Sequence, residues 1–142
     1  MKKQLFFLAF VVLLGLSSVQ AQKVYDQVFY TGKTQNITLL LTFAHGYMGA
    51  SEIKTTDQKT KKTSKFLPAS DSPDATGNIR FDHISVSGKK MNDYIVVNGL
   101  DDAVSAVPTS VNGYYFFNGK RYSFKLLKRK SNLALNRSWL CG

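Results

Sequence analysis

The sequence predicts an all-β protein: a single small antiparallel β-barrel or β-sandwich of about seven to nine short strands, with at most one short helical turn. Three observations support this prediction. Apolar residues recur at every second position rather than at every third or fourth. Turn signals that contain glycine separate the apolar runs at intervals of roughly 8–12 residues. Only Asp101–Val107 has the acidic start and the length of a short helix, and Pro108 would end it.

The individual strands follow from this period of two. Apolar residues alternate with mostly polar ones across Ile37–Phe43, which predicts a strand with one buried face. The apolar run Ile95–Val97 predicts a strand that is buried on both faces. Between residues 78 and 87 the apolar positions shift by one residue, which predicts a bulge near Asp82-His83.

Other segments are assigned by composition. We expect Thr31-Gly32 to mark a turn after an early strand that contains Val28 and Tyr30. The Thr/Lys tract over residues 55–65 has the composition of an exposed edge strand, since lysines there hinder pairing with other chains. Residues 68–77 have the composition of a loop, and alternating apolar residues in the tail predict a closing strand at Leu133, Leu135 and Trp139.

The clearest local prediction is a β-hairpin with Asn118-Gly119 as a type I′ turn. A two-residue turn places Phe117 opposite Lys120 and Phe116 opposite Arg121. One face of the hairpin then collects the side chains that we expect in the core: Tyr115, Phe117, Tyr122, Phe124 and Leu126. The other face carries mainly aromatic and basic side chains: Tyr114, Phe116, Arg121, Lys125 and, further on, Leu127 and Arg129.

The first 21 residues have the three parts of a cleavable export signal. Lys2 and Lys3 form the positive start, Leu5–Leu16 is apolar, and the small residue Ala21 ends the segment. The apolar run of 12 residues is too short to span a bilayer core of about 30 Å. We therefore predict cleavage after Ala21 and a secreted or periplasmic protein. Later apolar stretches are only strand-sized, so we predict no transmembrane span.

The composition of the predicted single domain, residues 22–142, excludes several classes of function. One cysteine, Cys141, cannot form a disulfide scaffold within the chain, and the 44% apolar residues of the full sequence are too many for general disorder. His45 and His83 are the only histidines and the chain has one Glu, so no set of metal ligands is evident. No nucleophile motif or phosphate-binding loop is present. We predict no catalytic residues, no metal and no cofactor.

Charge is the one feature that points to a function. Residues 22–102 carry ten basic and nine acidic side chains, whereas residues 103–142 carry seven basic and no acidic ones. The candidate binding residues are the aromatic and basic side chains of the hairpin and its end: Tyr114, Phe116, Arg121, Lys125, Lys128 and Arg129. Cations beside aromatic rings suit an anionic partner with flat or apolar parts.

Two functions of different classes fit these features. The first is an exported, non-enzymatic β-domain that binds an anionic surface or polymer, such as anionic lipid, an acidic polysaccharide or another polyanion; its affinity would fall steeply with salt. The second is a small barrel that holds an apolar ligand inside, or a module that docks on another envelope protein. A large internal cavity would favour the ligand-holding barrel, whereas a filled core would count against it.

Overall fold

The computed structural model of the protein describes residues 25–100 and 106–130. They form eight strands and one turn of 3-10 helix, Met48–Ala50. The strands are joined in sequence order into a closed antiparallel barrel. The all-β prediction is confirmed, and the barrel is the architecture adopted. The strands are β1 (Asp26–Thr34), β2 (Ile37–His45), β3 (Glu52–Asp57), β4 (Thr63–Pro68), β5 (Asn78–Ile84), β6 (Lys90–Asn98), β7 (Ser110–Phe117) and β8 (Lys120–Lys128).

The barrel closes where β1 meets β8. Tyr30 lies opposite Lys128 and Thr31 opposite Leu127 in this short antiparallel ladder. Closure leaves none of the eight described strands unpaired, because each has a hydrogen-bonded neighbour on both sides. The expectation of an edge strand at residues 55–65 is therefore wrong: this tract is the β3–β4 hairpin, and β3 and β4 are also paired with β2 and β5.

The connections at the two ends of the barrel differ in length. At one end, which we call the hairpin end, short turns join β1 to β2, β3 to β4, β5 to β6 and β7 to β8. At the other, the loop end, the three longer connections cover residues 46–51, 69–77 and 99–109. The predicted type I′ turn is confirmed, since Asn118 and Gly119 have φ values of 50° and 74°. The predicted register of the hairpin, with Phe117 opposite Lys120, is also confirmed.

The core consists of side chains that point into the barrel. Leu39, Leu41 and Phe43 alternate inward along β2 as predicted. Ile95 and Val97 point inward on β6, and Val96 is buried on the outward face between them, so this part of β6 is buried on both faces as predicted. Twelve large side chains have less than 2% of their surface exposed: Tyr30, Leu39, Leu41, Phe43, Met48, Ile53, Phe66, Ile79, Phe81, Ile95, Leu100 and Leu126. A side chain beside an internal space wide enough for water would retain accessible surface, so the barrel is packed around these residues.

The predicted core face of the β7–β8 hairpin is correct except near its turn. Tyr115, Phe124 and Leu126 are buried, but Phe117 is 41% exposed and Tyr122 is half-buried. Phe117 is the last residue of β7, so it lies at the rim of the hairpin end. There it stacks on Tyr115, with ring centroids 5.6 Å apart, and its outer surface faces solvent.

The prediction of a turn at Thr31-Gly32 is wrong, because Gly32 lies within β1. A Cβ at this position would collide with the carbonyl oxygen of Lys125 and come within 2.6 Å of the Leu126 side chain. Glycine here thus permits the close approach of β1 and β8 where the barrel closes. The predicted bulge in β5 is confirmed, since the register with β6 shifts between Asp82 and Ile84.

Three predictions fall on parts of the chain outside the described residues. The export signal (1–21) and the closing strand at Leu133–Trp139 lie wholly outside them. Of the short helix predicted at Asp101–Val107, only the last two residues are described, and they are not helical.

Candidate functional site

Four of the predicted site residues project from the outer wall of the barrel. Tyr114 and Phe116 point outward from β7, and Arg121 and Lys125 point outward from β8; we call these four the β7–β8 wall. The two rings are half-buried and the two cations are exposed. Because the sheet is a single closed layer, no second sheet covers these side chains in the described part of the chain.

The rings of the wall belong to a larger aromatic stack that crosses three strands. The ring of Phe116 stacks on that of Tyr94 of β6 with centroids 4.8 Å apart and planes at 18°. The Arg80 guanidinium of β5 lies 4.0 Å from the centroid of Tyr94. Neighbouring strands are spaced by about 4.8 Å, which is also the spacing at which two rings stack. Outward residues on β5, β6 and β7 therefore form one continuous column.

A second row of contacts extends this column to β8. The rings of Tyr114 and Tyr94 make an edge-to-face contact at a centroid distance of 6.3 Å, and the Arg121 guanidinium lies 4.7 Å from the centroid of Tyr114. We call the five residues Arg80, Tyr94, Tyr114, Phe116 and Arg121 the outer aromatic ladder. Sequence reasoning missed Tyr94 and Arg80. The run of buried residues 95–97 gives no local signal for the direction of Tyr94, and only the pairing of β6 with β7 places Tyr94 opposite Phe116 on the outward face.

The two ends of the ladder differ in charge. At the β5 end, Arg80 Nε and Lys90 Nζ each lie 2.7 Å from a carboxylate oxygen of Asp82. At the β8 end, neither β7 nor β8 contains an acidic residue. Among residues 25–100 and 106–130, no carboxylate lies within ion-pairing distance of Arg121 or Lys125. The β8 end therefore carries positive charge that no described carboxylate balances.

The ion pairs of Asp82 should make the stability of the fold depend on pH in the acid range. Burial alone would raise the pKa of Asp82, but hydrogen bonds from Lys90 and Arg80 and their charges hold it below its usual value. A carboxyl group with a lowered pKa in the folded state stabilises the fold above its unfolded pKa of about 3.9, and this contribution disappears as the pH falls through the folded pKa.

We expect Asp82→Asn to lower the free energy of unfolding at pH 7 by about 1 kcal/mol, because the paired cations are half-exposed and screened. The difference between the two proteins should shrink as the pH falls below about 4. Urea unfolding at pH 7 and pH 3 measures both values. A difference that stays the same at the two pH values would contradict this assignment.

The other two predicted site residues do not lie on the β7–β8 wall. Lys128 lies opposite the inward-facing Tyr30 in the β1–β8 ladder, so its position belongs to the inward face of β8. It is the last residue of β8 and lies at the rim of the loop end. Arg129 follows β8, and its backbone N–H donates a 2.7 Å hydrogen bond to the carbonyl oxygen of Phe29. The structure thus separates the six predicted residues into an outer wall and a basic segment at the loop end.

A polar cluster inside the hairpin end was not predicted. His83 Nδ1 is hydrogen-bonded to Asp93 Oδ1 at 2.7 Å, and the Tyr115 hydroxyl donates a 2.9 Å hydrogen bond to Asp93 Oδ2. The His83 ring also stacks on buried Phe66, with centroids 4.8 Å apart. Burial, the hydrogen bond to Asp93 and the charge of Asp93 raise the pKa of Tyr115. The tyrosine therefore stays a neutral hydrogen-bond donor.

This cluster links β5, β6 and β7 beneath the rim. Asp93 is 10 residues from His83 and 22 residues from Tyr115, so no local sequence pattern joins them. Both carboxylate oxygens of Asp93 are occupied by partners from the protein, and His83 is packed against a ring. Such an arrangement satisfies buried polar groups and fixes three strands relative to one another.

The described residues hold no group of three or more His, Cys, Asp or Glu side chains that could bind a metal ion. Within the same residues, no helix has both the length and the apolar character to cross a membrane. The fold and the site define a packed, eight-stranded antiparallel barrel with an aromatic and cationic outer wall. Comparisons with protein-family models, with curated proteins and with solved structures find no match to this chain.

Proposed function

We propose that the protein is an exported, non-enzymatic β-barrel that binds an anionic surface or polymer through the β7–β8 wall and Arg129, which follows the wall at the end of β8. The observation that carries the proposal is the arrangement of Arg121 and Lys125. Both are exposed cations without a described carboxylate partner; Arg121 belongs to the outer aromatic ladder, and Lys125 lies four residues further on the same face of β8. Cations of this kind can pair with phosphate, sulfate or carboxylate groups without first breaking an ion pair of the protein.

The aromatic ladder would hold the binding surface in shape. Arg121 rests on Tyr114, Tyr114 contacts Tyr94, and Tyr94 is stacked against Phe116. A cation that already rests on a ring has fewer conformations to lose when it meets an anion, so less of the interaction energy is spent on ordering. The ladder therefore supports binding even though its ring faces are largely covered by one another.

The packed interior favours the outer wall over an internal ligand site. Twelve large side chains of the described core have less than 2% of their surface exposed, which leaves no water-sized space beside these twelve. An apolar ligand inside the barrel would have to displace side chains such as Phe66, Phe81 and Tyr30.

Export is supported by the pattern of residues 1–21, and cleavage would give a mature protein that begins at Gln22.

We expect the triple variant Arg121→Ala, Lys125→Ala, Arg129→Ala to lose at least about tenfold in affinity for heparin, used as a soluble polyanion. The slope of log affinity against log salt concentration should become shallower by up to about three, one unit for each cation that pairs with the polymer. Isothermal titration at several salt concentrations measures both quantities.

The matched control removes the same charge from elsewhere. Lys59, Lys62 and Lys89 are exposed and lie in turns of the hairpin end, next to β3, β4 and β6. Their triple substitution by alanine should change the affinity by less than about twofold. Equal losses from the two triple variants would show a non-specific charge effect, and binding of wild type that does not depend on salt would refute the proposal.

A further inference from the structure

Two large apolar side chains are exposed on the outer surface close to the unpaired cations. Phe29 of β1 is 40% exposed and Leu127 of β8 is 57% exposed. Both would be more stable out of water, because exposed apolar surface is unfavourable in roughly direct proportion to its area. Neither is needed to fill the packed interior, since both face away from it.

The β1–β8 seam places these two residues on one outward face. Thr31 is directly opposite Leu127, and the backbone of Arg129 is hydrogen-bonded to that of Phe29. Residues that are two positions apart on paired strands point to the same side, so Phe29 and Leu127 are diagonal neighbours about 7–8 Å apart. We call this pair the apolar seam.

Cations flank the apolar seam along the chain. Lys125 lies two residues before Leu127 on the same outward face of β8, and Arg129 lies opposite Phe29. Lys128 and Lys130, both exposed, add to the basic segment at the loop end. The acidic residue Asp26 begins β1, three positions before Phe29. Among β8 and the two residues after it there is no acidic side chain at all.

An apolar pair surrounded by cations fits a partner that offers both negative charge and an apolar phase. A soluble polyanion such as a sulfated polysaccharide supplies negative charge but no apolar phase. A bilayer that contains anionic lipid supplies both, because its phosphates lie just outside the acyl-chain boundary.

We infer that the anionic partner of this protein is the surface of a bilayer that contains anionic lipid. The apolar seam enters the headgroup–acyl boundary while Lys125, Lys128, Arg129 and Lys130 pair with lipid phosphates. This inference rests on the proposed function and narrows it, since it extends the anion-binding surface from the β7–β8 wall to the seam. Each cation near such a surface contributes about fivefold to the partition coefficient.

The test compares the purified protein and its variants on vesicles of phosphatidylglycerol and phosphatidylcholine, by sedimentation. Wild type should bind these vesicles and should not bind vesicles of phosphatidylcholine alone. We expect Phe29→Ser with Leu127→Ser to lower the partition coefficient about a hundredfold, since each side chain contributes about tenfold. Binding of the same double variant to heparin should stay within about twofold of wild type.

The control variant is Met91→Ser with Phe117→Ser. These side chains are exposed to a similar extent, 42% and 41%, but Met91 is on β6 and Phe117 is at the rim of the hairpin end. Its vesicle binding should stay within about twofold of wild type. If the Phe29/Leu127 double variant does not fold, the single Leu127→Ser variant, with the more exposed side chain, decides the question with its expected tenfold loss.

The outcomes separate this inference from the proposal on which it rests. Wild-type binding to heparin without binding to anionic vesicles would overturn the bilayer inference and leave the proposed function standing. Vesicle binding that is unaffected by Leu127→Ser would also overturn it. Absence of binding to both heparin and anionic vesicles would refute the proposed function as well.

Discussion

Gly113→Val is expected to lower the free energy of unfolding by about 3 kcal/mol. A Cβ at this position would collide with the carbonyl oxygen of Val96 on β6, and it would come within 2.7 and 2.9 Å of two ring atoms of Phe124 on β8. The Phe124 ring thus occupies the interior space that a side chain at 113 would need. Relief would require moving either the backbone of β6 or a buried ring, and a packed core resists both.

Urea unfolding, followed by circular dichroism, measures this effect. The matched control is Asn112→Val, which introduces the same side chain at the neighbouring position, where it faces outward and is exposed. We expect Asn112→Val to change the stability by less than about 0.5 kcal/mol. Equal unfolding midpoints for Gly113→Val and wild type would contradict the close packing of β6, β7 and β8 described here.

Phe66→Ala is expected to lower the free energy of unfolding by about 3–5 kcal/mol. The ring of Phe66 is completely buried, stacks on His83 and meets the Tyr115 ring edge-on at 5.7 Å. Its removal would leave a cavity beside the hydrogen bonds of Asp93, so those bonds would lose their apolar shield as well.

Thermal or urea unfolding measures the loss of stability in Phe66→Ala and in a control variant, Phe29→Ala. The control removes a ring of the same size from a partly exposed site. That control should cost only about 1 kcal/mol, because much of the ring is already in contact with water. Similar losses for the two variants would show that Phe66 does not pack as described.

The parts of the fold that sequence reasoning predicted depend on short-range signals. The Asn118-Gly119 turn determines the register of β7 and β8, and so it predicted which face carries Tyr114, Phe116 and Arg121. The apolar alternation of β2 and the shift near His83 are likewise visible within ten residues of sequence. In each case a short stretch of sequence is sufficient, because the residues that carry the signal are close together in the chain.

The parts that it missed depend on contacts between distant residues. Closure by β1 and β8 has no local signal, so the sequence around Gly32 predicts a turn and not the close approach of two strands at the seam. For the same reason the sequence does not show that Phe29 lies near Leu127, that Tyr94 stacks on Phe116, or that Asp93 is hydrogen-bonded to His83 and Tyr115. These contacts depend on strand registers that no two-residue turn determines, and the β5 bulge shifts one of those registers.

The proposed anion-binding surface is tested most directly by mapping where a polyanion touches the protein. Backbone amide shifts in a ¹⁵N NMR titration with a short heparin oligosaccharide report this residue by residue. We predict that the largest shift changes fall on Arg121, Ser123 and Lys125, and that the lysine-containing β3–β4 turn at residues 58–62 changes little. Changes confined to that turn, or spread evenly over the barrel, would contradict the assignment of the β7–β8 wall as the binding surface.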